Sequence, residues 1–268
     1  MVVSNEDAIR TIVKTAVIAF AEGFKGRHEG ERDNPEGTIN IKIHNVFIEA
    51  LGPEIQYYTA LARSLDSSLG NMLEKMAIRI AELFYDVKNN VEGPLTSEQI
   101  NGIAALLESY KARIKKASIE DYQFLRDKAN IDKKELKRHS SDYYLIDRDG
   151  GCHYLIELKI GGDLDNKKAR SEKEAILEQF AILSNTLPSG TPIRTYFATA
   201  YNRFGEDRPW RQERVRQFFA DEELLIGRDF WNFVCKSDSG YDIVLDAYRE
   251  NAVHINNALE AIKKAYLG

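Results

Sequence analysis

The sequence predicts an α/β or α+β fold in which helices flank a mixed β-sheet. Helical spacing of apolar residues dominates the first half of the chain, a β-hairpin pattern follows, and a helix separates that hairpin from a further strand. At 268 residues the chain can bury one sizeable core, and we expect a single domain over 1–268. We divide it into a mostly helical part (1–140), a hairpin–helix–strand core (141–202) and a helical C-terminal part (203–268).

The first half contains four segments with the spacing of amphipathic helices: 4–24, 53–64, 67–87 and 96–116. Ser67 or Ser68 is the candidate N-cap of the third segment. Thr96 and Gln99 form a capping-box pattern at the start of the fourth. Between the first two helices, 38–47 alternates between apolar and polar residues, which predicts a strand.

A hairpin is predicted at 142–160, where two short runs rich in β-branched and aromatic residues are joined by Arg148-Asp149-Gly150-Gly151. With Asp149-Gly150 as a two-residue turn, Asp142 lies directly opposite Glu157. One face then holds an apolar set suited to the core: Tyr143, Leu145, Tyr154, Ile156 and Leu158. The other face holds Asp142, Glu157 and Lys159, because side chains two residues apart point the same way.

A helix over 171–185 and a strand over 192–201 complete the predicted core. Ser171 and Glu174 form a second capping-box pattern at the start of that helix. We expect the crossover between the hairpin and the strand to be right-handed. Further helices are indicated in the C-terminal part, at 210–220, 230–234 and 241–267.

Asp142, Glu157 and Lys159 are the strongest candidates for catalysis. Two opposed carboxylates on a ribbon have Cβ atoms roughly 4.5–5.5 Å apart, and like charges there are destabilising. A hard divalent cation removes that repulsion, since Mg²⁺ takes one or two carboxylates together with waters and phosphate oxygens. The set therefore indicates phosphodiester hydrolysis by metal-activated water. The alternative to a catalytic site is that Glu157 and Lys159 form an ordinary ion pair on an exposed face of the hairpin.

The order Ser141-Asp142, hairpin, Ile156-Glu157-Leu158-Lys159 resembles the PD-(D/E)xK nuclease superfamily, and more narrowly a type II restriction endonuclease. The likeness covers 142–201, and 226–231 (IGRDFW) also looks like a stretch found in several restriction enzymes. Ser141 stands where the family name has proline, a position without a chemical role. The resemblance implies a restriction-endonuclease-like core and Mg²⁺ bound by Asp142, Glu157 and the backbone carbonyl of Leu158. It also implies that Lys159 orients or deprotonates the attacking water and that the products carry 5′-phosphates.

The function implied is sequence-specific hydrolysis of double-stranded DNA by a homodimer, because palindromic sites mirror two-fold symmetry. The family further implies a companion DNA methyltransferase and a cytoplasmic location in a prokaryotic cell. Two alternatives remain open. One is a structure-specific or repair nuclease of the same superfamily, and the other is a non-catalytic DNA-binding protein on the same fold.

Other residues are candidates for supporting roles. Glu74, on a predicted helix before the sheet, is a candidate extra acid near the metal, and Gln179 is a candidate supporting polar residue. Two groups of side chains follow core strands and are placed to reach DNA phosphates or bases. They are Asn166, Lys167, Lys168 and Arg170 after Gly161-Gly162, and Arg203, Arg208 and Arg211 after the last core strand.

Composition restricts the other classes of protein. The net charge is −5, so a DNA partner needs a locally basic surface rather than an overall basic chain. No apolar run approaches the roughly 20 residues that span a bilayer, and we expect no secretory signal. The two cysteines are too few for a disulfide framework. The sequence contains no GxGxxG, Walker-type GK[ST], GxSxG or HExxH motif.

Overall fold

A computed structural model describes residues 4–128 and 134–268, and at positions 134, 135 and 139–142 it describes the backbone alone. The chain divides into two units, Met1–Arg79 with Asp242–Gly268 and Ile80–Tyr241. In the described ranges, no helix is long and apolar enough to cross a membrane. The single domain over 1–268 stays a prediction.

The first unit consists of helices: α1 (Asn5–Gly30), α2 (Val46–Glu49), α3 (Pro53–Ala81) and α9 (Gly240–Leu267). The predicted pattern of α1 is confirmed, because Ile9, Val13 and Val17 recur every four residues and are buried. Ser4 caps this helix by accepting a hydrogen bond from the Asp7 N–H at 3.1 Å. The predicted break at Ser67 and Ser68 is wrong, since both residues lie inside the continuous helix α3.

The strand predicted at 38–47 is also wrong. Asn40–His44 forms a 3-10 helix, and Asn45 then caps α2 by accepting from the N–H groups of Phe47 and Ile48. Ile39 is buried, whereas Ile41 and Ile43 are exposed. The three isoleucines therefore do not share a buried strand face, and local capping by Asn45 decided the backbone instead.

The second unit contains a five-stranded mixed sheet in the order β1-β2-β3-β4-β5 among the residues that the structure describes. Its strands are β1 (Tyr85–Thr96), β2 (Lys134–Asp147), β3 (His153–Leu158), β4 (Ile193–Thr199) and β5 (Leu224–Ile226). Strand β2 is antiparallel to both of its neighbours, β1 and β3, and the β3–β4 and β4–β5 pairs are parallel. The helices of this unit are α4 (Ser97–Lys111), α5 (Glu120–Asp127), α6 (Asn166–Thr186), α7 (Glu213–Arg216) and α8 (Arg228–Val234). The predicted fold class, a mixed sheet flanked by helices, is confirmed.

The β2–β3 hairpin has the predicted register but a longer turn. Tyr143 pairs with Ile156 and Ile146 with His153, as expected. The Asp149-Gly150 two-residue turn is wrong: the Asp147 N–H donates to the Cys152 carbonyl at 2.9 Å, which leaves a four-residue connection. Gly151 takes the left-handed conformation there, with φ at +63°. The longer turn leaves the register unchanged, because Asp147 lies opposite Cys152 as the predicted pairing requires.

The hairpin is covered on both faces, whereas the sequence predicted one buried face. Tyr143, Leu145 and Ile156 are buried as expected, but Tyr144 and Leu155 on the opposite face are buried as well. These last two belong to a core cluster that also contains apolar residues of α4 and α6. The face that carries Glu157 is therefore largely removed from water.

Strand β1 was not predicted, because the sequence pattern extended a helix to Val87. Its charged and amide side chains are exposed, and its buried positions are Tyr85, Val91, Gly93, Leu95 and Thr96. Pairing with β2 supplies the hydrogen bonds that its composition does not favour. The Thr96–Gln99 capping box that ends β1 and begins α4 is confirmed.

Replacing Gly93 with alanine is expected to destabilise the second unit by about 1–3 kcal/mol, the scale of overpacking in a well-filled core. A Cβ at Gly93 would lie 2.6 Å from Thr186 Cγ2 and 2.8 Å from Ile182 Cγ2 on α6. Both neighbours are β-branched and cannot rotate away cheaply. Urea unfolding measures the effect. Gly23→Ala is the control, since nothing lies within 4 Å of its Cβ and alanine favours the helix; equal effects at both sites would contradict the packing argument.

Candidate active site

Glu157 and Lys159 lie at the carboxyl end of β3, on the face of the sheet that α6 covers. Along a strand, Leu155, Glu157 and Lys159 point the same way. Leu155 is fully buried and Glu157 is only 7% exposed. The Lys159 N–H donates to the Ala198 carbonyl at 2.9 Å, one step beyond the last paired residue of β3. This bond fixes the backbone that carries the lysine.

The Lys159 ammonium is shared between two carboxylates. Its Nζ donates to Oε1 of Glu157 and lies 3.4 Å from Oε1 of Glu172 on α6. The side chains of Lys159 and Glu172 are 31% and 23% exposed. Charges that are partly withdrawn from water interact more strongly than exposed ones. The lysine is therefore held in one position beside Glu157, with its amine still accessible to solvent.

Glu172 was missed by sequence reasoning. It lies on the same face of α6 as Gln179, two helical turns further along. Gln179 is 2% exposed, and its Oε1 has no hydrogen-bond partner within the described part of the chain. The sequence did contain a signal for Glu172: it lies seven residues before Gln179, so the two polar side chains share one helix face that also carries apolar residues. It was not recognised because α6 was expected to begin at Ser171, which would have placed Glu172 in the first turn.

Asp142 lies in β2, and its side chain is outside the described residues. The β2–β3 register predicts Asp142 opposite Glu157, one step beyond the Tyr143–Ile156 pair. On the other side, the β1–β2 ladder shifts register between Lys88, paired with Tyr144, and Asn90, paired with Ser140. Between these two pairs β1 has one residue and β2 has three, among them Asp142, so β2 contains a bulge of two extra residues there. Such bulges bend a strand, re-aim its side chains and are common beside active sites.

The chemistry of the donor set fits a magnesium ion. Carboxylate oxygens are the ligands that this hard cation prefers, and Glu157 offers one at the end of β3. No cluster of three or more His, Cys, Asp or Glu ligands is present among the described side chains, which do not include that of Asp142. Asp142, Glu157 and the Leu158 carbonyl are the groups that would hold the ion, and their role as ligands stays a prediction.

Asn166, Lys167 and Lys168 form the first turn of α6, where the sequence had predicted a loop. Asp165 is the N-cap and accepts from the Lys168 N–H at 2.8 Å, so the helix begins five residues before the predicted Ser171 cap. All three side chains are exposed. They therefore follow β3 closely in the chain and project from a helical backbone.

The candidate DNA-binding arginines differ in their surroundings. Arg170 forms ion pairs with Glu108 at 3.2 Å and Glu174 at 3.4 Å and is half-buried. Arg203 pairs with Asp163 at 2.7 Å. Arg208 and Arg211 are exposed. The last two are thus directly accessible to a phosphate, whereas the first two contact acidic partners of the same chain.

The two glycines after β3 allow close packing within the chain. A Cβ at Gly161 would lie 2.6 Å from the Tyr201 hydroxyl, and one at Gly162 would lie 2.7 Å from Thr199 Cγ2. Gly162 also has a φ of +62°, which favours glycine. The sequence had suggested that these glycines admit another molecule. In the structure they bring the segment after β3 against the end of β4.

Two further predictions concern residues that are distant from β3 in the sequence, Glu74 and the 226–231 segment. Glu74 is half-buried on α3 in the first unit, and its part in the chemistry stays a prediction. The 226–231 segment packs beside the end of β4, where the Trp231 indole N–H donates to the Ala200 carbonyl at 2.8 Å. Glu206 accepts from the Arg228 N–H at 3.0 Å. This segment therefore has a clear packing role in the second unit.

Comparison with known proteins gives one assignment. The family model described as "Type II restriction endonuclease, HinfI" matches residues 5–252. No curated protein and no solved structure matches the chain.

Proposed function

Because the chain belongs to the HinfI family of type II restriction endonucleases, we propose that it hydrolyses double-stranded DNA at a specific sequence, requires Mg²⁺ and leaves 5′-phosphates. Membership makes the protein a site-specific deoxyribonuclease. The metal requirement and the residues of the reaction are the proposed part. The family match favours this function over a repair nuclease or a non-catalytic DNA-binding protein.

The observation that carries the proposed chemistry is the contact of Lys159 Nζ with the buried Glu157 carboxylate at the end of β3. A bound Mg²⁺ would supply a Lewis acid and a water of lowered pKa. Glu157, Asp142 and the Leu158 carbonyl would hold it. Lys159 would orient the attacking water and offset the charge of the scissile phosphate. Glu172 would keep the lysine in place, because its carboxylate lies 3.4 Å from the same Nζ.

We propose that DNA passes the carboxyl end of β3. Asn166, Lys167 and Lys168 would reach phosphates or base edges from the first turn of α6, and Arg208 and Arg211 would add charge from the segment after β4. Arg170 and Arg203 would also bind DNA phosphates, once a phosphate replaces the acidic side chain with which each now forms an ion pair. The exposed state of the first five residues supports this assignment.

The biological setting follows from the family. A homodimer would place one active site at each strand of a symmetric target. A companion methyltransferase would protect the host DNA, and the cytoplasm of a prokaryotic cell is where both would act.

Digestion of a sequenced plasmid tests the proposal directly. We expect discrete bands with Mg²⁺ and uncut plasmid when the metal is chelated, and sequencing of the ends should show 5′-phosphates at one recurring site. A buffer with Ca²⁺ in place of Mg²⁺ serves as a control for DNA binding without turnover. Cleavage confined to flaps, ends or branches would contradict sequence specificity, and equal cleavage in chelator would contradict the metal requirement.

A further inference from the structure

An exposed apolar surface occupies the first unit, far along the sequence from the catalytic residues. Among the residues that the structure describes, seven of the thirteen exposed large apolar side chains lie within 41–58. They are Ile41, Ile43, Val46, Phe47, Leu51, Ile55 and Tyr58, with exposures from 42% to 82%. We call this set the 41–58 surface. Scattered apolar side chains are ordinary on a monomer, but a concentration of this kind marks an interaction site.

The backbone beneath the 41–58 surface is held in place by polar side chains. The Asn40 amide donates to the carbonyls of Arg32 at 2.8 Å and Asn34 at 2.7 Å, which fixes the start of the segment. The Asn45 side chain caps α2. The Gln56 amide lies 3.4 Å from the Ile39 and Asn40 carbonyls and ties the start of α3 to the same region. The apolar side chains are thus displayed on an ordered support, which lowers the entropy lost on binding.

The size of the 41–58 surface matches one side of a stable protein interface. At roughly 150–200 Å² for a fully exposed large apolar side chain, the exposed fractions of these seven residues amount to on the order of 600–800 Å². Stable interfaces bury about 800 Å² on each partner. The largest apolar patch of an ordinary monomer is roughly 300–600 Å². The summed area is therefore comparable to one side of a stable interface.

The charges around the 41–58 surface favour a second copy of this chain. Lys42 and His44 lie at its beginning, and the exposed Glu49 and Glu54 lie towards its end. When two copies pack about a two-fold axis with their segments antiparallel, the basic end of each meets the acidic end of the other. DNA is a poor occupant, because binding to phosphates requires a surplus of cations that this surface lacks.

We propose that the 41–58 surface is the contact between two copies of the protein in its DNA-cleaving form. The inference rests on the proposed function, since two active sites are needed to cut both strands of a symmetric target. Phe47, which is 82% exposed on α2, is the central apolar contact. The antiparallel arrangement of the two segments gives the interface its charge complementarity.

Sedimentation equilibrium of the full chain, without DNA or metal, tests the proposal. We expect a dimer for the wild type and at least a 100-fold weaker dimer for the double variant Phe47→Glu, Leu51→Glu. Both side chains are exposed, so the circular dichroism spectrum of the variant should be unchanged. Ile114→Glu is the matched control, because Ile114 is 83% exposed in the second unit, and it should remain dimeric. A monomeric wild type, or a double variant as dimeric as the control, would overturn the proposal.

Charge reversal provides an independent test of the arrangement. Glu49→Lys with Glu54→Lys should weaken the dimer about 10-fold or more at low salt, and adding Lys42→Glu with His44→Glu should restore it. Failure of restoration would overturn the antiparallel packing. The outcomes separate this inference from the proposed function: an uncut plasmid with a stable dimer would refute the nuclease chemistry alone, and site-specific cleavage by a monomer would refute the surface alone.

Discussion

Glu157→Gln is expected to lower the rate of DNA cleavage by on the order of 10²–10³-fold, the scale seen when one group that stabilises transition-state charge is removed. Glutamine keeps the size of the side chain but loses the charge that would hold the metal and that pairs with Lys159. Lys159→Ala should have an effect of the same order, because it removes the group proposed to orient the water. Single-turnover cleavage of a plasmid with saturating enzyme measures both.

The matched control for these variants is Glu260→Gln, an exposed acid on α9 that should leave cleavage unchanged. Glu172→Gln should lower the cleavage rate by about 10-fold, an effect between those of Glu157→Gln and the control. Glu172 contacts Lys159 at 3.4 Å but is not predicted to bind the metal. Gel-shift binding of DNA in Ca²⁺ should persist in all variants. A fully active Glu157→Gln enzyme would remove the basis of the proposed active site.

Lys173→Met is expected to destabilise the second unit by about 3–5 kcal/mol, the cost of leaving one member of a buried ion pair uncompensated. Lys173 and Glu223 are 1% and 2% exposed, and the Lys173 ammonium lies 2.7 and 2.8 Å from the two Glu223 oxygens. Tyr122 and Thr195 also donate to Glu223 Oε1, the second at 3.1 Å. The Ala220 N–H donates to Oε2 at 2.8 Å. The loss is large because total stability is about 5–15 kcal/mol.

A double-mutant cycle separates the charge pair from its hydrogen bonds. Glu223→Gln should be costly alone, because it leaves the Lys173 ammonium buried without a counter-charge. Combined with Lys173→Met it should be less costly than the sum of the two single changes, by at least about 1 kcal/mol, since neither charge then remains. Urea unfolding measures all variants, with exposed Glu222→Gln as the control. Additive effects would show that the ion pair contributes nothing to stability.

Local signals in the sequence were sufficient to predict the register of the hairpin and to select its catalytic candidates, although not the length of its turn. The alternation of Tyr143, Leu145 and Ile156 specified the register, because a slip of one residue would turn every side chain to the opposite face. The Thr96–Gln99 pattern specified the start of α4, since a capping box is satisfied by residues three apart. Glu157 and Lys159 were found for the same reason: two residues apart on a strand, they share a face in any fold.

The family resemblance was equally a property of the sequence. The spacing from Asp142 to Glu157 and Lys159 indicated a restriction endonuclease before any contact was known. The HinfI family match then established that assignment over 5–252. The net charge of −5 gave no such indication, because DNA contacts depend on the local distribution of charge.

Tertiary structure decided the features that depend on residues distant in sequence. Strand β1 exists because β2 pairs with it, although its own polar composition does not favour a strand. Glu172 contacts Lys159 because α6 crosses the sheet at that point, and the Lys173–Glu223 pair joins residues 50 apart. The sequence alone predicted which groups carry the chemistry, since their spacing is local. Only the tertiary structure decided which acids, bases and helices surround these groups. The reason is that burial and long-range pairing arise only when segments distant in sequence pack together and exclude water.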